Sequence, residues 1–233
     1  MKSVNLAAIK SLPLDEVFTL PEAPPREHLC GWSGWCGRIE AKSDGFTIIL
    51  DRDIVHAVEN ASAMSIHLAN KFPAKKLLLI NTYASAELLQ SSLVHGMVQA
   101  RMKVPHRLKK YLRSSEESLD ESASLPTNLR VLNCPTSTLT STLLESEIKE
   151  KEYEIIVLNS FEFATLSRYT KSMLAKAFLE LQVRHGLTVV IYSQEMRNDI
   201  RELSFARGAI GILSAYATAV WRVYDPYEEM QLE

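Results

Sequence analysis

Four apolar runs end in polar residues that could meet at one site. GFTIIL ends in Asp51-Arg52-Asp53, with His56 just beyond. KLLLIN runs into Thr82-Tyr83. EIIVL ends in Asn159-Ser160, and TVVIY ends in Ser193-Gln194. Polar groups at the carboxyl ends of parallel strands are where α/β sheets bind ligands, and nucleotide phosphates are a common choice. Phosphate chemistry makes specific demands. Backbone N–H groups must face the phosphates, which takes glycines, and a Lys and a Ser/Thr must reach the β/γ-phosphates and magnesium. The segment DRDIVHAVENASAMS after the first run has no glycine, and no lysine lies between Arg52 and Lys71. Asp51 and Asp53 would repel a triphosphate. Ile54, Val55 and Val58 resist the positive-φ geometry of such loops. Asn159 is neutral and a weaker magnesium ligand than a carboxylate.

The elements that must position these residues alternate in kind. Strands are expected at Phe46–Leu50, Lys76–Asn81, Leu129–Asn133, Ile155–Leu158, Leu187–Tyr192 and Ala219–Val223. Helices are expected at about Val58–Lys71, Ala84–Met102, Leu139–Lys151 and Arg168–His185, with a second, basic helical piece at Val104–Arg113. Pro73 stops the first helix and Gly186 caps the last. Continuous apolar strands imply a sheet covered on both faces. Alternation with helices implies a mainly parallel, doubly wound α/β sheet in three layers. Residues 1–44 form an N-terminal arm, punctuated by Pro13, Pro21, Pro24 and Pro25, and a Gly/Trp-rich turn segment, read as a small hairpin, in GWSGWCGRIEAKSDG. Residues 45–233 form the α/β domain. Residues 114–128 are a polar, acidic surface loop.

From about Gly45 to Tyr227 the order of pieces is similar to the RecA-like motor domain of the DnaB replicative helicase family. NTYASAELLQSSLV resembles that family's strand and helix around the catalytic glutamate. EIIVLNSF resembles its Walker B strand. VVIYSQEMRNDIREL, followed by ATAVWRVYDPYEE, resembles its glutamine-containing strand, its D-I-R-E turn at Asp199–Glu202 and its final strand. The resemblance implies a RecA-like fold whose domains associate side by side, with nucleotide held between subunits. It also marks departures. Tyr83 stands where the family has its general-base glutamate, and Asn159 where it has the acidic magnesium ligand. His56 lies in place of the phosphate loop, and Gln194 matches the sensor glutamine. The DNA-facing loops are reduced to Ser160–Arg168 and Glu195–Asn198, and the chain stops soon after Tyr227, short of the arginine finger. Loop, base, magnesium ligand and finger are separate parts of phosphoryl transfer. Their joint loss implies a pseudo-ATPase that needs no cofactor. The alternative is an ATPase using ATP and Mg through an atypical loop, with Gln194 and Arg201 at the site and Arg52 or Lys42 on the phosphates. Implied partners are a RecA-like or DnaB-like motor, a second copy of the chain, and DNA, in replication or recombination.

Other constellations carry two readings each. Arg101, Lys103, His106, Arg107, Lys109, Lys110 and Arg113 make either a positive stripe for DNA or another anion, or a solvated face balanced by the Glu116–Glu121 loop. Trp32 and Trp35 form a recognition surface or cover a core edge. Arg197, Asp199, Arg201 and Glu202 complete the expected partner surface. The six histidines are scattered without ligand spacing, so no metal site is expected. Ser160 and Ser193 lack the context of a hydrolase nucleophile. A net charge of −2 sets up no global field for nucleic acid or membrane. Three cysteines without metal-type spacing fit a reduced, cytoplasmic protein. No apolar run is long enough to span a bilayer.

Overall fold

Runs of Leu, Ile and Val fill the central strands because both faces of the sheet are covered. The computed structural model describes residues 11–18, 46–51, 53–112, 119–134, 139–161, 168–194, 213, 217 and 219–222. The strands are β1 (Ser11–Pro13), β2 (Phe46–Asp51), β3 (Leu77–Asn81), β4 (Val104–Pro105), β5 (Leu119–Asp120), β6 (Leu129–Asn133), β7 (Ile155–Leu158), β8 (Thr188–Gln194) and β9 (Ala219–Arg222). The helices are α1 (Leu14–Val17), α2 (Ile54–Lys71), α3 (Ala86–Gln99), α4 (Ser141–Lys151) and α5 (Arg168–His185), with a 3-10 helix at His106–Tyr111. Seven strands join one sheet in the order β1-β6-β3-β7-β8-β2-β9. All neighbours run parallel except β1, which pairs antiparallel to β6. β4 and β5 form a separate parallel pair.

Successive strand residues feed opposite layers. In β3, Leu77 and Leu79 pack with α2 and α3, while Leu78 and Ile80 pack with α4 and α5. Each such burial contributes about 1.5–3 kcal/mol. The ion pairs between described residues, such as Lys149–Glu145 and Arg184–Glu145, join side chains with substantial exposure. Pairs of that kind contribute about 0–1 kcal/mol each, so the two apolar layers hold the fold.

Local chemistry sets the helix ends. α2 begins four residues before the expected Val58, because the Asp53 carboxylate caps it, accepting from Val55 N–H (2.6 Å) and His56 N–H (3.3 Å). α3 spans less than the expected 84–102. Ser85 caps its start, and its end closes with Arg101 N–H on the Val98 carbonyl and Met102 N–H on the Met97 carbonyl. Arg101 takes the left-handed position there, at φ 56°, where glycine is favoured. Gly186 does fill the equivalent place after α5, at φ 61°. The expected basic helix at Val104–Arg113 is instead a two-residue strand and a 3-10 helix, since Pro105 withholds an N–H and enters in an extended conformation.

The N-terminal strand is tied down by polar contacts. Ser11 N–H donates to Glu147, Arg130 donates to the Ser11 carbonyl, and the Tyr153 hydroxyl donates to Ser11 Oγ. No helix among the described residues is long and apolar enough to cross a membrane.

Candidate functional site

The site to test is the carboxyl edge of the sheet, where β2, β3, β6, β7 and β8 deliver their last residues. β2 ends at Asp51 and α2 starts at Ile54, so the connection is Arg52-Asp53 alone. A phosphate-binding loop wraps its ligand with several consecutive backbone N–H groups. Two residues cannot form that wrap. The first free N–H groups of α2 already hold the Asp53 carboxylate. Asp51 is buried, and its Oδ2 accepts from Asn60 Nδ2 of α2 at 2.7 Å. Tyr192 of β8 donates its hydroxyl to the Asn60 carbonyl. His56 sits half-buried in the first turn of α2.

Two neighbouring strands, β6 and β3, end in asparagine and a third, β7, is followed by one, and the amides interlock. Asn159 Nδ2 donates to Asn81 Oδ1 at 2.6 Å. Asn81 Nδ2 donates to Asn133 Oδ1 at 2.7 Å and to the Ala84 carbonyl at 2.9 Å. Ala84 N–H returns to Asn81 Oδ1. Asn159 Oδ1 accepts from Thr82 N–H at 2.9 Å and lies 3.2 Å from the Thr82 hydroxyl, which also reaches the Ser160 carbonyl. Asn81, Asn159 and Ser160 are all 0% exposed. An amide both donates and accepts, so it can join two neighbours; a carboxylate only accepts. The Asn159 side chain is therefore committed to Asn81 and Thr82, at the end of β3.

Tyr83 follows this network at 38% exposure, and Glu87 lies in the first turn of α3. Gln194 ends β8 in register with Asp51 of β2. The structure thus brings His56, Tyr83, Asn159 and Gln194 to one edge of the sheet. It places Arg101, Lys103, Arg107, Lys109 and Lys110 elsewhere, after α3. Arg113, Trp32, Trp35, Arg197, Asp199, Arg201 and Glu202 lie outside the described residues, as does the turn segment 31–45. No group of three His, Cys, Asp or Glu side chains that could hold a metal occurs among the described residues.

Asn60 and Asn133 were not expected from the sequence to belong to this edge, nor was the hydrogen-bond network that runs through Asn81 and Thr82. A signal for three of the amides is visible in the sequence: LLLIN, LRVLN and IIVLN all close an apolar run with asparagine.

Comparison with protein-family models finds no match, and comparison with curated proteins finds none. Solved structures do match. A DnaB-like replicative helicase, described with its interactions with primase, superposes with a TM-score of 0.55 at 14% identity. The fold is RecA-like. The superposition covers 82% of this chain and 51% of the helicase chain, so this RecA-like chain spans about half of that helicase's length.

Proposed function

We propose that this chain is a non-catalytic RecA-like domain that works by binding. Its partner is a DnaB-like or RecA-like motor or a second copy of itself, with DNA as a further contact, in replication or recombination. The observation that carries this reading is the filled carboxyl edge of the sheet. Asn159 is fully buried in an amide network, and only two residues separate β2 from α2, whose first N–H groups are held by Asp53. An edge built this way has lost the phosphate cradle and the magnesium ligand together, while the sheet that would present a subunit interface is retained. The partner surface we assign is Trp32, Trp35 and the turn bearing Arg197, Asp199, Arg201 and Glu202. The likeness to a helicase described with its primase supports replication as the setting.

The test is a titration of the purified chain with a fluorescent ATP analogue and magnesium, with phosphate release measured in parallel. No saturable binding below about 100 μM and no turnover are expected, the affinity scale being about −5.5 kcal/mol. Tighter binding with turnover abolished by Gln194→Ala would establish instead an ATPase with an atypical loop. Light scattering of the chain alone, and mixed with a DnaB-type motor, reads the partner half of the proposal. Charge reversal at Arg201 and Glu202 should weaken whichever assembly forms.

A further inference from the structure

A 3-10 helix has three residues per turn, so positions i and i+3 eclipse one another. That period sorts His106–Tyr111 into three ridges. Leu108 and Tyr111 form the inward ridge: Leu108 is buried, and half-buried Tyr111 donates its hydroxyl to Gln90 of α3 at 2.9 Å. The two outward ridges are His106 with Lys109 and Arg107 with Lys110, all exposed. Arg101 and Lys103, also exposed, extend the cationic run back to the end of α3. Eclipsed residues are about 6 Å apart along the axis.

Four of these cations differ in their pairing from those elsewhere in the fold. Lys75, Lys76, Lys149, Lys151 and Arg184 each lie within 4.0 Å of a glutamate. Among the described residues, Arg101, Lys103, Arg107 and Lys109 have no such ion pair. Carboxylates are nearby. Asp120 is near Lys103, with its carboxyl held below its ordinary value mainly by hydrogen bonds from Ser122. Asp15 and Glu121 line a cleft of about 590 Å³ beside Arg107. No apolar side chain stands out between the cations, because Leu108 and Tyr111 turn inward. A protein partner would want such an anchor, and base stacking would want an exposed ring. A phosphate backbone wants neither.

We propose that Arg101, Lys103, Arg107, Lys109 and Lys110 bind the phosphate backbone of nucleic acid without reading its sequence. The patch adjoins the cleft that Pro13 and Thr127 share near the start of β6, at the end of the sheet opposite the asparagine network. Nucleic acid bound there would leave the carboxyl edge untouched. The proposal rests on the reading that the domain acts by binding, but ATP turnover would overturn that reading alone.

Anisotropy of a labelled 20-base-pair duplex, titrated with the full chain at several salt concentrations, tests it. Five phosphate contacts predict a slope of log K on log salt of about −4 to −5. Arg107→Ala with Lys110→Ala should cut affinity roughly 10- to 100-fold at low salt and flatten the slope by about 2. Arg101→Gly should weaken binding while raising Tm, since glycine suits the left-handed position; this separates lost charge from lost folding. Unchanged slopes in these variants, or no binding at about 50 mM salt, would overturn the proposal. So would competition by polyglutamate as effective as by DNA at equal charge, which would assign the patch to an acidic protein.

Discussion

Asn159→Asp would restore the acidic residue that an active nucleotide site uses, and it changes one atom type without changing shape. In this fold it should do harm. The donor to Asn81 Oδ1, now at 2.6 Å, becomes a second acceptor, so an attraction turns into a repulsion. The carboxylate would sit at a position with 0% exposure. Removing a carboxylate from water there costs several kcal/mol. The Thr82 N–H offsets part of this as a charge-assisted bond, at about 1.5–3 kcal/mol, while the Thr82 hydroxyl proton is already taken by the Ser160 carbonyl. The net expectation is a loss of about 2–4 kcal/mol. For a chain of this size that lowers Tm by roughly 4–16 °C. Urea denaturation followed by circular dichroism reads the loss directly. Its pH dependence gives an internal check. Burial and the Asn81 oxygen raise the introduced carboxyl above its unfolded value of about 3.9. A raised value means the favourable, protonated form is present at low pH and lost as pH rises. The deficit against the parent should be small near pH 4 and full at neutrality. A variant as stable as the parent from pH 5 to 8, with ATP-analogue binding newly tightened by magnesium, would refute the reasoning. Position 159 would then face a ligand rather than β3.

Further expectations follow from packing and capping. A Cβ on Gly96 would lie 2.8 Å from Ala63 Cα, where α2 and α3 touch. Gly96→Ala should therefore cost about 1–3 kcal/mol by forcing the helices apart. A gain of about 1 kcal/mol from helix propensity would contradict that contact. Asp53→Ala should cost about 1 kcal/mol in a urea melt while Asp53→Ser stays close to the parent, as expected for a cap. Burial pushes the Tyr153 phenol above its ordinary 10.0; its bond to Ser11 pulls the other way, and Glu147 pushes it further up. A raised value means the associated stability is present below about pH 10 and lost as pH climbs beyond it. Tyrosinate absorbance and urea melts between pH 8 and 11.5 should show that loss, and Tyr153→Phe should abolish it.

What the sequence made legible was set by how local the controlling physics is. β3, β7 and β8 could be read directly, because a strand covered on both faces must be apolar at every position. The start of α2 could not be, because it is decided by one side chain, Asp53, folding back on two N–H groups rather than by the apolar period that begins later. The basic segment resisted for a similar reason. Pro105 and a six-residue 3-10 helix carry too short a pattern to separate three ridges from the broader face of an α-helix. The asparagine edge is the hardest kind of feature. Asn81 lies 52 residues from Asn133 and 78 from Asn159, so its partners become neighbours only once the strand order is fixed.

That edge also shows how polar strand ends can lie side by side in a parallel sheet. Parallel strands bring their carboxyl ends side by side, so any polar residues there face each other at close range. Carboxylates in that position repel unless a metal or a basic group lies between them. Amides do not, since each can donate to one neighbour and accept from another. Asn133, Asn81 and Asn159 use this to link β6, β3 and β7, with Thr82 closing the chain. At the next strand pair the single carboxylate, Asp51, is met by the amide of Asn60. The amide of Asn159 therefore supplies cohesion between β3 and β7 that a carboxylate there would not. Cohesion and chemistry cannot be separated by restoring one acid, which is why the stability of Asn159→Asp is the sharper readout than its activity.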